Sequence, residues 1–403
     1  MDPSVETKVR DILEQVKLRR FEAVKEFTEK FDQVKIDEPA VSKDEIEEAF
    51  STITKEEIDV IKKSIKSVER FCLEEKKLIK DIKLIDKSSS TILRWLPLRK
   101  AGIYAPSGRA PLPSSVIMSA VPAKIAGVKD FVLCSPPQKD GKINKYILAA
   151  ARLSGIDKIY KIGGAQAIGA MAYLFDADII SGPGNLYVSV AKQLVQSKGI
   201  CKIDVLAGPS EVLVIADETA NPSIIASDML AQAEHGPTSA AICLTNNKEF
   251  AKNLDNELNR QIDGLDEITK KSIQNYGTIV ITKDIEESIK LANEFAAEHV
   301  EIFTRDAEKV AEKIINAGAV FIKTGEVFGD YGFDSSNHIL PTGRASRFEG
   351  GVSVQTFMKK QYVKTAKIEK QKEWAKDCAI FARMERLEAH ARSAQARKGG
   401  TNE

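Results

Sequence analysis

From Lys100 to Asp217 the chain alternates between short apolar runs and helix-patterned segments, and it does so again after His235. Candidate strands fall at 100–104, 130–134, 158–162, 177–181, 202–206 and 211–216, with helices at 113–126, 143–154, 165–175 and 186–197 between the first five. Runs this short, bounded by turn residues, read as buried strands, and strands separated by helices require a parallel sheet with right-handed crossovers. The second block predicts strands at 240–245, 277–282, 300–303 and 319–322, and helices at 247–275, 285–296 and 306–317. Asp284 and Gly318 read as helix caps. A chain of 403 residues can bury two such units, and two α/β blocks predict a ligand cleft between facing domains.

The turns after the first strands are built from small, kink-permitting residues: Ala105-Pro106-Ser107-Gly108, Ser135-Pro136-Pro137, Gly163-Gly164-Ala165-Gln166 and Gly182-Pro183-Gly184-Asn185. They gather at the carboxyl ends of parallel strands, where open α/β sheets bind ligands. No G-x-G-x-x-G occurs there, so a dinucleotide is not held by the common fingerprint. Residues 5–31 carry apolar positions at helical spacing, and Ser42-x-x-Glu45 and Thr54-x-x-Glu57 are capping boxes. Before residue 94 the chain reads as scaffold without chemistry.

The charge balance of 59 Lys and Arg against 58 Asp and Glu, interspersed, gives no reason to expect nucleic acid or an anionic membrane as partner. The start, MDPSVETKVR, has no signal-peptide core, and no apolar run is long enough to span a bilayer. Cys72, Cys134, Cys201, Cys243 and Cys378 are scattered without a C-x-x-C pair, which predicts reduced thiols in a cytoplasmic enzyme. Only four histidines occur, and each keeps polar or acidic company: Glu234-His235, Glu298-His299, Asn337-His338, and His390 two residues after Glu388.

The stretch Ala207–His235 contains a tight turn, a buried strand and an amphipathic helix ending in Gln232-x-x-His235. Residues three apart share a helix face, so an amide oxygen and an imidazole can converge on zinc or a similar first-row ion. The same pair also reads as an ordinary polar helix end. Glu298-His299, where a helix gives way to a strand, reads as a carboxylate–imidazole base pair or as a surface pair. A Gly-, Asp- and Ser-rich loop, 328–338, and a charged tail helix around 385–390 complete the candidates. The tail helix is either a solvated face or an arm laid on a partner subunit.

Together these segments resemble the histidinol dehydrogenase family over nearly the whole chain. The resemblance rests on AGPSEVLVIAD followed by ASDMLAQAEHGP, and on GIYAPSGRAPLPSSVIM, GGAQAI, GPGNLYVSVAK, AEHVEIF, GDY…NHILPT and ERLEAH in the family's order. It implies two incomplete Rossmann-like parallel-sheet α/β domains facing a cleft, in a domain-intertwined homodimer. The layout it implies is an N-terminal helical segment (1–20), a discontinuous first α/β domain that carries the zinc and catalytic residues (21–103 plus 212–350), an inserted NAD domain (104–211) and a tail domain (351–403). Sequence pattern alone divides the chain in series. The resemblance further implies oxidation of L-histidinol to L-histidine by two NAD with one zinc ion per subunit.

Carried over by residue, Gln232, His235, Asp330 and His390 match the zinc ligands, and Glu298 and His299 the catalytic pair. Ser210, His338 and Glu385 match substrate contacts, alongside Gln232, His235, His299, Asp330 and His390. Tyr104, Gln166 and Asn185 match contacts to NAD. His390 and Glu385 are expected to act in the neighbouring subunit's site. The loop from Asp330 to His338 is one residue longer than usual and holds a second carboxylate, Asp334, as reserve ligand. Ser107, Ala297 and Val300 also depart from the usual pattern. A zinc/NAD dehydrogenase of another small amino alcohol, a zinc hydrolase and a protein with a structural zinc are the competing readings.

Overall fold

The computed structural model describes residues 3–108, 110–205 and 208–399. Leu206, at the end of the expected strand 202–206, and Ala207 lie outside them. The chain divides into two units, residues 1–76 with 98–357, and residues 77–97 with 358–403.

The larger unit holds two parallel sheets. The first consists of β1 (Lys100–Tyr104), β2 (Asp130–Ser135), β3 (Ile159–Lys161), β4 (Ile179–Ser181) and β5 (Lys202–Ile203), in the order β3-β2-β1-β4-β5. The second consists of β6 (Glu211–Ala216), β7 (Ala240–Thr245), β8 (Gly277–Ile281), β9 (His299–Phe303) and β10 (Ala319–Ile322), in the order β8-β7-β6-β9-β10. Each sheet thus runs third, second, first, fourth, fifth in its own block, with the order reversing beside the first strand. The two blocks are repeats of one topology. Every residue of β6 is buried, as a parallel strand covered on both faces must be. Val212 and Val214 pack with the helix Pro222–Ala233 on one face, Leu213 and Ile215 with the helix Ile285–Phe295 on the other.

The N-terminal segment completes the first block. The helices Pro3–Arg19 and Phe21–Asp32 bury Val9, Leu13, Val16 and Val24 against Ile168, Met171 and Val188. The Thr54 capping box forms, Thr54 Oγ1 accepting from Glu57 N at 3.2 Å and Thr54 N donating to Glu57 Oε2 at 2.8 Å, while at Ser42 the hydroxyl caps Glu45 N at 3.1 Å and the Glu45 carboxylate pairs with Lys161.

Three expected helices differ. The segment 165–175 is a helix, Gly164–Gly169, followed by a wider π turn, Ala170–Leu174. The segment 247–275 is two helices, Lys248–Gln261 and Glu267–Tyr276, broken at Gly264 (φ +87°) and restarted where Asp266 accepts from Thr269 N. The helix expected over 306–317 stops at Ala311, because the Asn293 side chain takes the amides of Ile315 and Asn316 (2.8 and 3.1 Å).

The smaller unit is an antiparallel sheet of Ile82–Ile85, Ser89–Pro97 and Met358–Ala366, with the helices Ile368–Met384 and Glu388–Gly399. These strands lack the apolar face that marks a strand in sequence: Ile82, Leu84 and Ile85 are exposed and Met358–Ala366 is rich in lysine. Residues 82–97, expected within the first α/β domain, therefore pair with the tail segment instead.

Candidate active site

The amino ends of β6, β9 and β10, not their carboxyl ends, gather the reactive side chains of the second block. Glu211 opens β6 and His299 opens β9, with His299 in register with Val212 and Ala319. Glu298 sits one residue earlier. Its buried side chain accepts from Glu211 N through Oε2 at 3.1 Å, and burial pushes its carboxyl up to about 8 against the opposing pull of His299. Gln232, fully buried at the end of its helix, shares the same donor. With the amide oriented to suit its neighbours, its oxygen accepts from Glu211 N and its nitrogen donates to Glu326 Oε1, both at 2.7 Å. One backbone amide therefore ties Glu298 to Gln232.

The His299 ring lies edge-on to Phe321, with centroids 5.9 Å apart, and its Nδ1 is 2.8 Å from Glu326 Oε2. Behind it are further buried carboxyls. Asp228, four residues before Gln232 on the same helix face, is pushed up to about 6 by burial, and the neighbouring Glu301 accepts from Glu326 N through Oε1 at 2.7 Å. Desolvation holds Glu301 and Glu326 well above the usual carboxylate range. The site is crowded with acid groups that burial keeps protonated, and a cation brought beside them would release those protons.

His235 Nε2 and Asp330 Oδ2 are 3.8 Å apart on the open side. Two donors bound to one zinc ion at its ordinary bond lengths stand about 3–4 Å apart. Asp334 is engaged elsewhere, its Oδ1 accepting from Ser336 N and Oγ, both at 2.8 Å, so Asp330 is the carboxylate that faces His235. His338 Nδ1 lies 2.6 Å from the Asp330 carbonyl oxygen. Burial lowers the His338 pKa against the opposing pull of Asp330. Ser210, next to Glu211, is half-buried and its carbonyl accepts from Ala240 N at 2.9 Å. Among the described residues no three His, Cys, Asp or Glu side chains form a ready metal cluster. Within the larger unit the possible ion donors are therefore His235, Asp330 and the Gln232 amide. Glu385 and His390 belong to the smaller unit, where both are exposed.

The loop carrying Asp330 and His338 is propped by the helix Lys55–Leu78. Ser64 Oγ donates to Tyr331 O (2.6 Å), Ser67 Oγ to Phe333 O (3.1 Å) and Arg70 Nη2 to Ser335 Oγ (3.0 Å). Gly332, at φ +70°, packs so closely that a Cβ would lie 2.6 Å from Val68 Cγ2.

In the first block the expected cofactor residues sit at the carboxyl ends of the strands. Tyr104 ends β1; it is buried, and its hydroxyl accepts from Gly164 N at 3.1 Å. Gln166 is 1% exposed, and neither atom of its amide has a hydrogen-bond partner among the described residues. Asn185 is exposed and caps the helix Leu186–Ser197 by accepting from Val188 N at 3.2 Å. The turn before it is clamped from below: buried Lys192 pairs with Asp204 and donates to Gly182 O (3.0 Å), while Asp204 Oδ2 accepts from Gly182 N (2.7 Å).

The sequence pattern that defines histidinol dehydrogenases matches residues 1–398. The chain is 44% identical to a histidinol dehydrogenase of Prochlorococcus marinus, over 96% of its own length and 89% of the relative's. It is 40% identical to that of Bacillus subtilis, over 97% and 92%. The chain belongs to the histidinol dehydrogenase family. The crystal structure of histidinol dehydrogenase from Elizabethkingia anophelis superimposes with a TM-score of 0.90 at 35% identity, covering 98% of this chain and 92% of that one. An acetylating aldehyde dehydrogenase from Geobacillus thermoglucosidasius, at 18% identity and a TM-score of 0.50, shares the fold alone.

Of the residues expected from the histidinol dehydrogenase resemblance, the larger unit brings together Gln232, Glu298 and His299 through Glu211 and Glu326, and His235 with Asp330 and His338. Glu326, Asp228, Glu301 and the Lys192–Asp204 pair escaped the sequence reading. Asp228 had a visible signal, an acid four residues before Gln232 in an apolar helix. Glu326 had none, because its contact to His299 spans separate elements.

Proposed function

We propose that the chain oxidises L-histidinol to L-histidine through L-histidinaldehyde, consuming one water and reducing two NAD, as the last steps of histidine biosynthesis. The family match over residues 1–398 carries this reading, supported by His299 against Glu326, with Glu298 one residue before it, and by His235 opposite Asp330.

His299 is the base. Glu326, 2.8 Å from Nδ1 and ionised once a cation lies beside the site, would favour the proton on that nitrogen, leaving Nε2 to accept the substrate's hydroxyl proton as hydride leaves for the nicotinamide. The aldehyde carries no second transferable hydride until water adds to give the gem-diol. Glu298, with a carboxyl near 8, gives and takes a proton close to neutral pH and in this reading activates that water. His299 then accepts a proton again in the second oxidation, which yields the carboxylate and the second NADH.

In this reading one zinc ion per subunit is held by Gln232, His235 and Asp330, with His390 donated by the tail of a second copy. The donor set suits it, two oxygens and an imidazole beside an excess of buried carboxyls. Zinc supplies a fixed positive charge that orients the imidazole and amino nitrogens of the substrate. Ser210, His338 and the second copy's Glu385 hold histidinol, while Tyr104, Gln166 and Asn185 meet NAD. A homodimer is supported by the smaller unit's exposed apolar residues, among them Leu84, Tyr362, Phe381 and Met384. A cytoplasmic setting fits the reduced cysteines, since all five are free, and no described helix is long and apolar enough to cross a membrane.

The deciding measurement is stoichiometric: two NADH per histidinol consumed, abolished by chelation and restored by zinc. Hydrolysis products without nicotinamide absorbance would refute the reading.

A further inference from the structure

Asp32 is a charged group without a structural reason to be where it is. It is the last residue of the helix Phe21–Asp32, the end at which the helix dipole disfavours a carboxylate. It is half-buried, its Oδ2 has no hydrogen-bond partner, and no described cation lies within ion-pair distance. Burial without compensation pushes its carboxyl up to about 6.

Its surroundings are the carboxyl edge of the first sheet. A Cβ on Gly163 would meet both Pro136, after β2, and Asp32 Oδ1 at 2.9 and 3.1 Å, so Asp32 lies against the turns that follow β2 and β3. The charge of Asp32 acts on Tyr104, whose hydroxyl holds Gly164 N. A Cβ on Gly164 would lie 2.8 Å from Gln166 Oε1, so the unpartnered Gln166 amide faces the same turn. A carboxylate oxygen and a nearly fully buried amide, both unsatisfied by protein, converge on a backbone that only glycine permits.

In a dinucleotide sheet whose order reverses beside the first strand, the adenosine half lies over the first, second and third strands. An acid near the end of the second strand accepts the hydroxyls of its ribose. Here that strand ends in Ser135-Pro136-Pro137 and offers no carboxylate. We propose that Asp32, reaching in from the N-terminal helix pair, is the acid that holds the adenosine ribose of NAD, with Gln166 beside it, and that its charge turns away a 2′-phosphate. This rests on the reading that the chain uses NAD. The ribose diol supplies two O–H donors to the carboxylate, and NADP would bring a dianion against it.

The test is calorimetric titration of wild type and Asp32→Asn with NAD, NADP and NAD lacking the adenosine 2′-hydroxyl. The isosteric variant should bind NAD roughly 10- to 100-fold more weakly, the loss of charge-assisted hydrogen bonds. Its discrimination against NADP should shrink. Wild type should lose affinity for the 2′-deoxy analogue to a similar degree, and the variant should not distinguish that analogue from NAD. If the variant does not fold, the analogue series on wild type decides alone. Unchanged NAD affinity in the variant, or equal binding of NAD and its deoxy analogue by wild type, overturns the assignment. Binding needs no turnover, so loss of histidinol oxidation with Asp32-dependent NAD binding would sink the functional reading and leave this one standing.

Discussion

Replacing Glu298 by Gln should flatten part of the protein's stability profile against pH. Burial moves this carboxyl from 4.5 to about 8, so the folded chain binds a proton there that the unfolded chain has released over that interval. Stability contributed by the protonated group is present below 4.5 and lost as pH rises through about 8. At about 1.4 kcal/mol per unit, the loss between pH 5 and pH 9 amounts to roughly 3–5 kcal/mol. Gln copies the protonated acid in shape and keeps an oxygen for Glu211 N, so it escapes this loss. Urea unfolding midpoints followed by circular dichroism at pH 5, 7 and 9 measure the effect. The two proteins should agree within about 1 kcal/mol at pH 5 and diverge at pH 9 with the variant the more stable. Contributions from Glu326, Glu301 and Asp228 are common to both and cancel. Parallel profiles would refute the claim that Glu298 is buried protonated.

His299→Asn should lower kcat by roughly 100- to 10,000-fold with metal content by emission spectrometry unchanged; loss of metal would instead put His299 among the ion's ligands. Arg70→Ala, remote from the chemistry, should raise the KM for histidinol several-fold by loosening the loop of Asp330, and an unchanged KM would deny the helix Lys55–Leu78 any part in the site. Gly182→Ala should destabilise by roughly 2–4 kcal/mol in thermal unfolding, because the backbone is at φ +124° and the new Cβ would fall 2.0 Å from Tyr104 O. A neutral effect would mean that the turn can rearrange.

The strands of the two parallel sheets were legible because each is a short apolar run bounded by turn residues. The histidines were legible because there are four and each neighbours a polar or acidic residue. The three strands of the smaller unit were not, since Ile82–Ile85 is exposed and Met358–Ala366 shows no apolar face. The expectation that site residues gather at carboxyl ends matches the positions of Tyr104 and Gln166 but not those of Glu298 and His299, which sit at the amino end of their strand. Sequence spacing gave no sign of Glu326 against His299, nor of Ser64, Ser67 and Arg70 against residues 331–335, which lie more than 250 positions away (|i−j| 265 to 268). Asp32, one position beyond the helical pattern of residues 5–31, carries no signal of its own in the sequence.

The first quarter of the chain touches both repeats: Asp32 at the edge of one, and Ser64, Ser67 and Arg70 at the loop of the other. It works as a strut. Residues 45–57 are themselves fastened to the first repeat, Glu45 to Lys161 at 2.8 Å and Glu48 to Lys142 at 2.9 Å, so the helix Lys55–Leu78 starts on one repeat and ends its bracing on the catalytic loop of the other.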